Sequence, residues 1–140
     1  MSDRKTEGEL PAPSAPALPQ RGVHGWTAGA NEAARRDAGA RRLRWVEVDV
    51  GPEPDRRGIL RAIGKALAFP PHYGANLDAL HDCLGELAQR DGVAGWVVML
   101  SGLRHAGALD AATRAALLEV FEAACEELAA AGRELVVLYD

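Results

Sequence analysis

Apolar residues along the chain switch between a two-residue and a helical period, and the switches mark out its elements. From Leu43 to Val50, Val46, Val48 and Val50 alternate with Trp45, Glu47 and Asp49, the pattern of a half-buried strand. Pro52 and Pro54 break it, Asp55 can cap the next helix, and Ile59, Leu60, Ile63 and Leu67 recur at helical spacing up to Phe69-Pro70. A second helix is expected from about Asn76, with Leu77, Leu80, Leu84 and Leu87 on one side. The run Gly95 to Leu100 is continuously apolar between a glycine and a serine, which fits a strand covered on both faces in a parallel sheet. Leu117, Phe121, Ala124 and Leu128 predict a long amphipathic helix over about 110–131, ended by Gly132, and ELVVLY (Glu134 to Tyr139) predicts a further buried strand. Strands alternating with helices imply a parallel α/β domain with right-handed crossovers.

The first part of the chain is less regular. Residues 1–20 combine Pro11, Pro13, Pro16 and Pro19 with small and polar neighbours and are expected to be a disordered tail whose removal leaves stability unchanged. Residues 21–42 read as an N-terminal extension, with a short edge strand at 22–26 and a helix from Asn31 to Arg42 capped by Asn31. The folded domain is then placed at 43–140, around a small three-stranded parallel sheet. A length of 140 residues fits one core, and 48% hydrophobic with 26% charged residues excludes a wholly disordered chain. The longest apolar run, Trp96 to Leu100, falls far short of the roughly 20 residues that cross a bilayer. The N-terminus also lacks a continuous apolar stretch of the secretory kind. A cytoplasmic protein with no membrane contact is expected, with Cys83 and Cys125 as buried reduced thiols.

The net charge of -4 hides an asymmetry. Residues 1–68 carry 12 basic and 9 acidic side chains, a net of +3, while residues 69–140 carry 4 basic and 11 acidic, a net of -7. An acidic C-terminal half argues against a nucleic-acid partner and suits a basic protein surface. Within that half, Asp78 and Asp82 lie four residues apart on the predicted second helix, so they share a side opposite the leucine stripe. Like charges at this spacing destabilise an isolated helix by about 0.2 to 0.5 kcal/mol, so helix formation does not account for them, although the helix N-terminus partly compensates and spacing alone favours a plain solvated acidic face.

The whole string Phe69 to Leu87 resembles the barstar family of intracellular ribonuclease inhibitors. The shared pattern reads Pro70, Tyr73, Gly74, Asn76, Leu77, Asp78, Ala79, Leu80, Asp82, Cys83, Leu84 in this chain, and the order of elements agrees over residues 43–140. The resemblance implies a non-enzymatic inhibitor that plugs the active site of a basic, extracellular-type ribonuclease with carboxylates in place of RNA phosphates. Asp82 would be the central anchor among phosphate-binding arginines and a histidine, and Asp78 would support it at a neighbouring basic site. Gly74 would let the loop backbone approach closely, and Asn76 and Leu77 would touch the partner at the helix start. His72, beside Tyr73, and His81 stand where the family commonly has aromatic residues, and both can still pack against a partner. An acidic residue that some members carry on the long helix is Ala123 here.

Two other classes fit less well. Asp78 and Asp82 as general acid and base would need a pocket that splits their pKa values, which neighbours on a convex helix face do not provide. A metal site from His72, His81, Asp78 and Asp82 would need convergence, yet His81 points about 100 degrees from Asp82 on the helix. No enzyme activity, cofactor or metal is expected, and a monomer is. Within the binding class, the rival is a barstar-like module with a non-ribonuclease partner, favoured by His72, His81 and Ala123.

Overall fold

In the computed structural model, which describes residues 17–140, extended backbone forms β1 (Gly22–Gly25), β2 (Leu43–Asp49), β3 (Gly95–Ser101) and β4 (Glu134–Tyr139). All pairings are parallel and the spatial order is β1-β4-β3-β2. Helices α1 (Asn31–Ala40), α2 (Arg56–Ala66), α3 (Leu77–Glu86) and α4 (Ala111–Ala130) connect them. The sheet therefore has four strands where the sequence pattern predicts three. The additional strand is β1, in register with β4 from Gly22 opposite Val136 to Gly25 opposite Tyr139, and Trp26 N extends the ladder by donating to Tyr139 O at 2.8 Å.

Each central strand buries both faces, which is why β3 and β4 read as unbroken apolar runs. On the upper face Val98, Leu100, Leu135 and Val137 point to α2, α3 and α4, and meet Ile59, Leu60, Ile63, Leu80, Leu84, Phe121 and Leu128. On the lower face Val97, Met99, Val136 and Leu138 point toward Leu43, Ala34, Ala38 and Leu18. Helix α1 buries only two alanines, so it is too slender to cover that lower face alone. Leu18 fills the remaining space and is fully buried.

That packing corrects the expected boundary of the tail. Residues 1–16 lie outside the described residues, but 17–20 are fastened. Leu18 N donates to Asp37 Oδ2 at 3.0 Å, and Arg41 Nη1 donates to Leu18 O and Pro19 O, each at 3.1 Å. Arg41 also pairs with Glu134 at the start of β4. The helix start differs too. Ala30 is the N-cap of α1, after a 3-10 turn at Ala28–Ala30, and no side chain caps it. Asn31 instead accepts a hydrogen bond from Trp26 Nε1 at 2.8 Å, which ties the helix to the end of β1. Cys83 and Cys125 are buried free thiols. No helix among the described residues is long and apolar enough to cross a membrane.

Candidate functional site

Helix α3 starts where Asn76, in extended backbone, accepts a hydrogen bond from Ala79 N at 2.8 Å. This cap satisfies one of the amides that a helix start leaves without partners. Leu80 and Leu84 are fully buried under the sheet, with Cys83 and Leu87 beside them and Leu77 half-buried at the rim. Four anchors on one side fix the rotation of the helix, and the opposite side turns to solvent. Asp78 and Asp82 are both exposed there, and neither makes a hydrogen bond or ion pair among the described residues. Asp78 lies in the first turn, where the helix dipole favours an anion, but Asp82 is a turn further on and has no such compensation. Glu86, exposed one turn beyond Asp82, extends the row. It is absent from the motif, although the same four-residue spacing points to it.

The preceding loop is held from below. Tyr73 OH donates to Leu60 O in α2 at 3.0 Å, and its ring meets Phe69 edge-on with centroids 5.0 Å apart. The ring lies over Gly64, where a Cβ would come within 2.5 Å of it. Burial, with a smaller contribution from Cys83, pushes the hydroxyl from 10.0 up to about 12. A raised acid pKa means that the neutral, hydrogen-bonded form is favoured in the fold, so this stabilisation is complete below pH 10.0 and is lost as pH rises toward about 12. Tyr73→Phe is expected to cost about 1 kcal/mol in denaturant unfolding at neutral pH, and to flatten the alkaline decline of stability. Tyr73 thus props the loop, leaving His72 exposed on its outer side.

The left-handed backbone of this loop falls at Ala75, one residue after Gly74. Ala75 has φ +53° and is buried, whereas Gly74 is not in the left-handed region. A Cβ on Gly74 would sit 3.2 Å from Asn76 Nδ2, so the glycine leaves room for the capping side chain. His81 also has a neighbour that no local pattern announced. Its Nε2 lies 2.8 Å from Glu127 Oε2, bridging α3 to α4, with both side chains part-exposed. Gly85 lies under the same carboxylate, where a Cβ would sit 3.4 Å from Glu127 Oε1, an ordinary contact distance. Ala123 is exposed on α4, flanked by exposed Glu122, Glu126 and Glu127. The two thiols are pushed up from the ordinary cysteine value, Cys125 by burial to about 11, and Cys83 by burial and then by Glu86 and Asp82. They are thiols rather than thiolates at neutral pH. Among the described residues no group of three or more His, Cys, Asp or Glu is placed to hold a metal ion.

The parallel sheet carries three helices on one face, and one of them shows to solvent an acidic row that has no partner among the described residues. The family model for Barstar (barnase inhibitor) matches residues 43–140, from the first residue of β2 to the end of the chain, and the chain belongs to that family. It is a family of inhibitors, in keeping with a binding role. No curated protein matches the chain. Strand β1, helix α1 and the Leu18 segment lie before the matched region.

Proposed function

We propose that this protein inhibits a basic ribonuclease by inserting the acidic row of α3 into the enzyme's phosphate-binding site. The observation that carries the reading is the pair Asp78 and Asp82: exposed, unpaired among the described residues, and fixed in direction by the buried leucines beneath them. A carboxylate carried on an anchored helix and free of internal partners gives up its hydration but no internal bond on moving against arginine, and charge-assisted bonds of that kind are the strong ones. Asp82 is the central anchor and Asp78 the support at the next cation. His72, Gly74, Asn76, Leu77 and His81 surround them, and Tyr73 holds the loop in place.

The test is titration of a basic ribonuclease of the barnase type with the full chain, which should abolish RNA cleavage at about one equivalent. Association should be fast at low salt and slow at least about tenfold between about 0.05 and 0.5 M salt in stopped-flow measurements, because opposite surface charges steer the encounter only over a Debye length. A salt-independent on-rate would remove the acidic row from the encounter. Ala123, exposed where some relatives carry an acid, favours a second reading, a non-ribonuclease partner of the same basic character. Undiminished nuclease activity at large excess of the chain would select it.

A further inference from the structure

Strand β2 is an edge of the sheet, and its outer side has no partner strand among the described residues. Arg42 O accepts from Ala94 N at 2.9 Å and Val50 N donates to Ser101 O at 3.0 Å, so the even-numbered residues of this stretch turn their amides and carbonyls toward β3. Extended backbone alternates, and the backbone polar groups of Trp45, Glu47 and Asp49 therefore point outward. Among the described residues, none bonds to these outward groups. Such an edge is a template for another strand.

Space for that strand exists. A groove of about 730 Å³ runs beside β2, with α2 as its far wall. The wall carries small residues at one-turn spacing, Ala62 and Ala66, flanked by Arg61 and Lys65. A strand lies about 4.8 Å from its neighbour, and the residues of this wall nearest that position include the two alanines and the flexible side chains of Arg61 and Lys65.

The charges around the groove select its occupant. An added strand would alternate its side chains between the α2 side and the opposite side of the sheet. On the α2 side it would meet Arg61 and Lys65, which are exposed and form no ion pair among the described residues, while Glu53 and Asp55, the latter accepting from Gly58 N, line the groove at the start of the helix. On the opposite side it would meet exposed Asp49 and, beside it, exposed Glu47, whose Oε1 already accepts from Arg35 Nη2 and Trp45 Nε1, each at 3.3 Å. A second copy is a poor match. Antiparallel pairing of β2 with itself, centred on Val48, would set Arg44 of one copy on the side of Arg61 and Lys65 of the other, and would bring Glu47 of each copy against Asp49 of the other. We infer that this edge and groove take an extended segment of a partner protein with alternating charge, acidic residues facing Arg61 and Lys65 and basic residues facing Asp49 and Glu47. The site is separate from α3 and does not depend on ribonuclease inhibition.

The experiment uses the ¹⁵N-labelled full chain and two capped peptides of about eight residues with the same composition: glutamate and lysine in strict alternation, or in two blocks. At millimolar concentration the alternating peptide should slow amide hydrogen exchange at Trp45, Glu47 and Asp49 by about threefold or more, while Val46 and Val48, already bonded to β3, stay unchanged. The block peptide should do nothing. Ala66→Trp, which fills the groove from an exposed position, and Lys65→Glu should each remove the effect without changing the melting temperature, whereas Asp82→Ala should leave it intact. The inference is overturned if the alternating peptide protects none of the three amides, if both peptides protect them equally, or if protection survives Ala66→Trp.

Discussion

Asp82→Ala should fold with the parent melting temperature and lose inhibition of a ribonuclease that the parent blocks by about 2 kcal/mol or more, a loss of at least about thirtyfold in affinity. The side chain is exposed and has no partner among the described residues, so the free protein loses nothing when it is removed. In the complex its absence would leave cationic groups of the enzyme desolvated and unpaired, and that penalty is what makes such truncations severe. Asp78→Ala should lose less, because a first-turn aspartate is partly engaged with its own helix dipole. Glu119→Ala, an exposed acid on α4, serves as a control and should change little. Inhibition constants and thermal melts on the same preparations separate the outcomes. Full inhibition by Asp82→Ala would place the contact on another face.

Leu18→Ala should destabilise the whole domain by about 3 kcal/mol, enough to lower the melting temperature by roughly 10 °C. Leu18 is fully buried against Ala34, Ala38 and the lower face of the sheet, and the residues around it are small or belong to strands, so the site cannot collapse readily. Removing residues 1–20 should cost at least as much, since it also removes the carbonyls that Arg41 holds. Calorimetry of the two variants is the measurement. An unchanged transition would mean that the lower face holds together without its cover.

The difference between Leu18 and the rest of the core explains which parts of the fold are legible in the sequence. Strands β2 to β4 and helices α2 to α4 announce themselves because each repeats its apolar period over several residues, as in Val46, Val48 and Val50 or Leu80, Leu84 and Leu87. Leu18 is one apolar residue in a proline-rich stretch, and its burial follows from the thinness of α1, which only the assembled fold reveals. Strand β1 is visible as a short extended segment, but its four residues include a single β-branched one, Val23, and nothing local says which strand it will join. At the site, the motif spacing sets the side on which Asp78 and Asp82 lie. It does not place the inward turn of Tyr73, the positive φ of Ala75 or the bridge from His81 to Glu127, because each depends on residues distant in sequence or on backbone strain set by the loop's two anchors.

The pairing of β1 with β4 joins the earliest and latest strands of the described chain. A ribosome delivers them in that order, so β1 emerges without its partner and waits until residues 134–139 have been made. During that interval Leu18 and the lower sides of β2 and β3 have no complete surface to bury against. Closing so long a loop comes late and is slow for entropic reasons. The N-terminal segment thus acts as a latch on a finished sheet: α2 and α3 can settle on the upper face during synthesis, but the lower face is sealed only after β4 is in place.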